Sequence, residues 1–455
     1  MTARMQQPIS FTSMAGDALT VLVAVTTPFI IRFVGDLPIS EILILGLVFP
    51  LFVVYRKRAL RSDATRLYML FGLWLAGQML TDVYRQTKQV DWMLGDALIV
   101  FFAIDTIFFV MLLSGNTRRK FLFLLAYGLG SIAQVRFFPV QMNIDSLWKF
   151  GYSTGVNLLL ILASCIFYAR KLYLPVLGLC GFAVALNLFF NFRSMVLTPL
   201  LAIALVVPVL PEYVGPWKVL PPVGSKRRLA VLVALALAVG VGAASLVKGL
   251  YLAGVFGDEA RAKTEQQSKI RGGLLIGGRP EILVSSRAVM DSPILGHGSR
   301  AKDFKYIEML VDVLSAQGMV TSLEDEESGY QGIIPSHSHL MGAWVWAGIV
   351  GAVFWGYYLA LVLRAMYVLA MKPSALAPVY MFLLVTLAWD IVFSPFGSTR
   401  RLTEGMLTVV VLDLLKESGS LAGARQWLPT RTWKRHAFQG QRPIPRPTRG
   451  VSQPG

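Results

Sequence analysis

The sequence predicts an all-α polytopic membrane protein of about twelve transmembrane helices with one large, mostly helical periplasmic loop. Three observations predict it. The 455 residues are 55% hydrophobic and 15% charged, with mean hydropathy +0.59, whereas soluble domains carry about a quarter charged residues. The apolar residues gather in blocks of about 18–25, the length that crosses a bilayer's hydrocarbon core. The short basic loops all fall on one side if the spans alternate.

Taken in order, nine spans are expected at about 14–34, 38–55, 67–83, 93–113, 121–138, 153–169, 172–190, 195–211 and 229–254, forming a bundle over 1–254. Residues 255–338 form the outer loop. Spans at 339–363, 376–394 and 402–416 complete the membrane part over 339–416. The loops "YRKRALRSDATR", "NTRRK", "ARK" and "GSKRR" mark the cytoplasmic side, which also receives both termini. The N-terminus lacks a clear signal-peptide apolar region and cleavage site, so the first span is expected to stay in place. The tail 417–455 is rich in Arg, Pro and Gly without helical periodicity, and reads as a basic disordered segment suited to anionic headgroups or simply to water.

The net charge of +17 follows from lysine and arginine in cytoplasmic loops; no nucleic-acid partner is expected, and the lipid bilayer is. Cys165 and Cys180 sit in apolar runs and read as small core residues rather than a disulfide or metal pair.

Within the outer loop, "GRPEILVSSRAVMDS" places Ile282, Leu283, Ala288 and Val289 at helical spacing, and "AKDFKYIEMLVDVLSAQGM" does so with Phe304, Ile307, Met309, Leu310 and Val313. A small helical cap is the expected result. The acidic "LEDEES" reads as solvated.

Candidate site residues lie at this outer side. Arg193, between two apolar runs, must snorkel or meet an anion. Arg279 follows a glycine pair, and a guanidinium can bind phosphate through two parallel hydrogen bonds. His337 and His339 stand at the threshold of a membrane helix, where an imidazole can act as acid or base, or simply cap the helix. His297 could join them as a metal ligand, but no zinc spacing is present and no metal or cofactor is expected. Arg400 and Arg401 could extend a phosphate site or anchor the surface. Asp105, mid-span, reads as a buried structural partner or as a proton-relay residue of a transporter. Trp344 and Trp346 suit an interfacial aromatic belt.

These stretches together resemble the O-antigen ligase and O-antigen polymerase superfamily. His337-Ser338 is followed by Gly348 and Gly351 at that family's spacing, with Met341 where leucine is usual. Upstream, Gly278-Arg279, a helix, and Pro293-Ile294-Leu295-Gly296-His297-Gly298 resemble the family's second block. Arg193 stands where the family commonly has an arginine. In motif terms the resemblance spans roughly residues 185–365. It implies a C-type glycosyltransferase architecture and a metal-independent, inverting glycosyltransferase at the outer face of the bacterial inner membrane. The donor implied is a glycan on undecaprenyl diphosphate, the acceptor another glycan or lipid A-core, and neighbouring export or chain-length proteins are expected partners. The resemblance assigns Arg193 and Arg279 to the diphosphate and His337 to the acceptor hydroxyl, and leaves His339 a pocket neighbour.

The residue types agree with that chemistry, since arginines can neutralise a diphosphate leaving group and a sugar hydroxyl benefits from a nearby base. A polymerase is favoured over a ligase from the "SHSHLMGAW" form. A flippase-type transporter and a non-catalytic scaffold for polysaccharide export are the readings of other classes.

Overall fold

A computed structural model describes residues 11–32, 35–206, 226–258, 261–262, 264–265, 279–316, 318, 321–372 and 374–427. It is 81% helical. Its contacts divide the chain into two units, Met1–Lys416 and Glu417–Gly455. The second unit holds the end of the last helix, to Trp427, where the sequence predicts a structureless tail; the rest of that tail, 428–455, lies outside the described residues.

Helices α1 (Phe11–Thr26), α2 (Ile39–Ala59), α3 (Ser62–Arg85), α4 (Gln89–Leu113) and α5 (Thr117–Phe137) come first. Between α1 and α2 a small antiparallel ribbon, β1 (Ile30–Arg32) with β2 (Asp36–Pro38), ends the first apolar run earlier than the expected span of 14–34. A short α6 (Gln141–Asp145) and a π-helical turn (Leu147–Tyr152) lead into α7 (Ser153–Ala169), then α8 (Tyr173–Phe189), α9 (Arg193–Val206) and α10 (Lys226–Leu252). Neighbours joined by short connections pack together, α7 on α8 and α8 on α9, and α9 also lies on α10, α1 on α5 and α2 on α4.

Among the described residues, five helical stretches are long and apolar enough to cross a membrane: Ile39–Ala59, Gln89–Leu113, Leu147–Ala169, Val233–Leu252 and Ile349–Met371. Four shorter apolar helices accompany them. In Ile39–Ala59 only 17% of the apolar window is buried within the protein, and in Val233–Leu252 only 6%. Side chains such as Phe49, Val53, Leu237 and Val241 face outward. An apolar helix that finds no protein cover needs lipid, so the chain is a helical membrane protein.

The segment between the two groups of apolar helices carries helices α11 (Glu281–Asp291), α12 (Phe304–Ala316) and α13 (Leu323–Tyr330), at the stretches where helical spacing is expected and at the acidic stretch. The buried faces differ in detail. Val284, Ala288 and Val289 turn inward on α11 while Leu283 is exposed; on α12 the core residues are Tyr306, Ile307, Leu310 and Leu314, and Phe304 is exposed. Val284, Ala288, Val289, Tyr306, Leu310 and Leu314 form a satellite core with Ile334 and Val345. The acidic stretch is helix α13, with no buried residue, started by Ser322, whose side chain accepts from the Asp325 amide.

The expected single span 339–363 is instead broken into α14 (His339–Ala347) and α15 (Ile349–Met371). Gly348 has φ 63° and ψ −152°, which ends one helix and starts the next. Helices α16 (Ala377–Phe393) and α17 (Ser398–Trp427) close the described chain. Asp105 on α4 is fully buried beside the Glu41–Arg401 pair, which favours its structural reading.

Candidate functional site

The loop 292–300, between α11 and α12, is tied to α3 and fixes where the site can form. Thr81 Oγ1 donates to the Leu295 carbonyl at 2.5 Å, Arg85 reaches the Gly296 carbonyl and Ser292, and the Asp82 carboxylate accepts from both the amide and hydroxyl of Ser299 at 2.6 Å. On its other side the loop lies against the α14–α15 break: the His297 and Gly298 amides donate to the Val345 and Trp346 carbonyls, and the Ile349 amide to Ile294. A side chain at Gly296 would meet the Gly348 backbone at 2.5 Å, and one at Gly351 would meet the Ala343 carbonyl at 2.3 Å. Gly296, Gly348 and Gly351 therefore serve close backbone approach.

His337 enters through the next connection. Ser338 caps α14, its hydroxyl accepting from the Met341 amide and donating to the Ile391 carbonyl on α16. That double tie holds His337 at the mouth of a cavity of about 390 Å³, a size typical of small-molecule sites (about 300–1,000 Å³). Tyr330, Ser336, His337, His339, Trp355 and Phe396 are among its lining residues. The His337 side chain keeps 32% of its exposure, and its Nδ1 lies 3.8 Å from Glu281 Oε1. Tyr330 donates to the same Glu281 oxygen at 2.8 Å. Burial pulls the His337 imidazole below its ordinary value; Glu281 opposes that, while the charges of Arg279, Arg400 and Lys149 add to it. The ring is thus biased toward the neutral form that can accept a proton.

Arg279 begins the cap helix region and donates from Nε to the Phe393 carbonyl at 2.9 Å, at the end of α16. Burial lowers its value; Glu281, Asp390 and Tyr330 act the other way, and Arg400 adds to the lowering. A guanidinium starts so high that it stays charged. Arg400 bonds Asp390 at 2.5 Å. Arg279, Arg400 and His337 thus share one electrostatic neighbourhood with Glu281 and Asp390. The two guanidiniums repel each other, and the Glu281 and Asp390 carboxylates offset that repulsion.

Arg193, Arg401 and His297 make contacts of their own. Arg193 donates to Thr264 at 2.7 Å and to Asn191, and stacks over the Tyr251 ring at 4.4 Å; none of these described contacts is to His337 or Arg279. Arg401 is buried, held by both oxygens of Glu41 and stacked over Phe101, so it is a structural ion pair and not part of the cavity wall. His297 donates from Nε2 to the Ala288 carbonyl at 2.8 Å and packs on Tyr306, tying the loop to α11. Among the described residues, no three His, Cys, Asp or Glu side chains group as a metal would need.

His339 is fully buried and gripped at both nitrogens. Nδ1 lies 2.5 Å from the Ser394 carbonyl, which can only accept, so Nδ1 carries a hydrogen. Nε2 lies 2.7 Å from Glu404 Oε1, and that contact needs one shared proton. Trp355 and Phe396 enclose the ring. His339 therefore builds the cavity's inner wall, while His337 faces its opening.

Sequence reasoning missed Glu281, Tyr330, Asp390 and Glu404. Asp390 had a usable signal, a carboxylate within the apolar "LVTLAWDIVF". Glu281 lay two residues from Arg279 with nothing to single it out, and Tyr330 is indistinguishable from any loop tyrosine.

The sequence matches no protein-family model, and no curated protein matches it.

Proposed function

We propose that this protein is a metal-independent, inverting glycosyltransferase of bacterial surface-polysaccharide synthesis, acting on glycans carried by undecaprenyl diphosphate. In this reading the chain crosses the inner membrane about twelve times, with the cap and cavity in the periplasm and both termini in the cytoplasm. The observation that carries it is that His337, in the wall of the 390 Å³ cavity, lies within electrostatic reach of Arg279 and Arg400. That combination provides positive charge for a diphosphate and a neutral imidazole for a hydroxyl, which is what a glycosyl diphosphate reaction requires.

The step balances as follows. The acceptor hydroxyl oxygen attacks the anomeric carbon of the donor and forms the new glycosidic bond. The bond from that carbon to the phosphate oxygen breaks, and its electron pair leaves with undecaprenyl diphosphate. The hydroxyl proton passes to His337 Nε2 and then to solvent. Arg279 and Arg400 offset the charge gathering on the leaving group. Arg193 stays in the reading as a second diphosphate ligand, on the strength of the resemblance.

The test is the glycan profile of a deletion strain complemented with wild type, His337→Ala, Arg279→Ala or Arg193→Ala. Loss of polymer, or lipid A-core capped by single repeat units, identifies a polymerase, the favoured form. Long chains held on undecaprenyl diphosphate beside bare lipid A-core identify a ligase. Wild-type glycans from His337→Ala overturn the transferase reading in favour of a transporter or scaffold.

A further inference from the structure

We infer that Glu281 is the positioning residue of His337: its carboxylate orients the Nδ1–H of the imidazole, leaving Nε2 to take the acceptor proton, and steadies the imidazolium that results. The inference rests on the proposed role of His337 and adds a residue that the resemblance does not assign.

The geometry carries it. Glu281 is the first residue of α11, and Pro280 and Arg279 before it fix its backbone beside the end of α16 through the Arg279–Phe393 bond. Its Oε1 faces His337 Nδ1 at 3.8 Å, longer than a hydrogen bond and within the range that tightens when substrate closes a site. Its Oε2 is buried and has no hydrogen-bond partner among the described residues. A buried carboxylate oxygen without a donor is costly, and a small rotation that brings Nδ1–H onto the carboxylate would relieve it. The other groups whose charge bears on His337 are Arg279 on the approach to α11, Arg400 on α17 and Lys149 on the π-turn, all positive. Glu281 is therefore the group that favours the imidazolium against three that oppose it. Tyr330, on α13, holds Oε1 by its hydroxyl and competes for the same oxygen.

A bland alternative exists. A glutamate at the first turn of a helix stabilises that end through the helix dipole, and its bond to Tyr330 could simply join α11 to α13. The two roles separate in the titration of His337. Removing the Glu281 charge should lower the pH at which the ring protonates, and removing the competing Tyr330 hydroxyl should raise it. A purely structural tie predicts only the Coulombic drop in Glu281→Gln, no rise in Tyr330→Phe, and wild-type polymer from both.

The experiment is histidine NMR on the full-length chain in lipid nanodiscs, labelled at its four histidines, with His337 assigned by its loss in His337→Gln. It needs no substrate. The expected result is a midpoint shifted down by about half to one unit in Glu281→Gln and up in Tyr330→Phe. Glu281→Asp should lie between Glu281→Gln and wild type. The companion readout is polymer from the complemented deletion strain, expected to fall about tenfold or more in Glu281→Gln, at unchanged protein level, with partial recovery in Glu281→Asp. An unmoved midpoint overturns the inference, and so does a moved midpoint with wild-type polymer. Wild-type polymer from His337→Gln instead overturns the function proposed for the site, whatever the titration shows.

Discussion

Gly348 stands against the Ile294 carbonyl so closely that a side-chain carbon at this position would fall 1.9 Å from the carbonyl oxygen. The contact joins the two sequence blocks: the loop between α11 and α12 is pressed into the break between α14 and α15, and the Ile349 amide seals it by donating to that same carbonyl. Gly348→Ala should therefore destabilise the protein by about 1–3 kcal/mol, through overpacking and an unfavourable positive φ. Thermal unfolding in detergent measures the loss. Gly356, on α15 with open space around it, is the control, where alanine should be neutral or stabilising.

The two histidines of "HSH" should fail in different ways. His339→Ala leaves Glu404 buried without its proton partner and should cost about 3–5 kcal/mol, the range for breaking a buried pair. His337→Ala, at the cavity mouth, should leave stability within about 1 kcal/mol of wild type and abolish polymer. Unfolding midpoints and glycan profiles of the same two variants check this. Equal destabilisation of both would contradict the division.

Arg400 and Arg401 are adjacent in sequence and opposite in expected effect. Arg401→Ala strips the buried Glu41 carboxylate of its bidentate partner, with an expected cost of about 3–5 kcal/mol. Arg400→Ala should lower transfer and cost less stability, because the Asp390 side chain it releases keeps some exposure (18%). Expression level, melting temperature and polymer yield separate the two.

The pH dependence follows from the direction of the His337 shift. Its folded value lies below the ordinary value of about 6.5, since burial disfavours the charged ring. The unfolded chain therefore binds more protons between the two values, and stability rises with pH through that window. The contribution is fully present above about 6.5 and is lost as pH falls through the folded value. Transfer should follow the same limb: active at neutral pH and falling only below about 6.5. A pH–rate profile of wild type against His337→Gln tests it. A shared acid limb removes the base role.

Asp105 illustrates how far sequence reasoning reached. A carboxylate in an apolar run is visible as an anomaly because its burial is expensive. Its neighbours Glu41 and Arg401 are 64 residues before it and 296 after it by their numbering, and nothing local connects them. The same holds at the candidate site, where Arg279 was visible beside a glycine pair and His337 and Arg400 beside apolar runs, while Glu281, Tyr330 and Asp390 acquire meaning only as their neighbours.

The sequence by itself determined the helical membrane class, the cap and its amphipathic helices, and the two glycine-bearing blocks, because hydrophobic length, periodicity and turn chemistry are local properties. Only the tertiary structure decided where α14 stops, that His339 is wall and His337 is mouth, that Arg401 is paired within the core while Arg400 attends the site, and that Glu281 faces the imidazole. Those outcomes depend on which distant chain segments meet, and in a low-dielectric interior the partner a charged group meets decides what it can do.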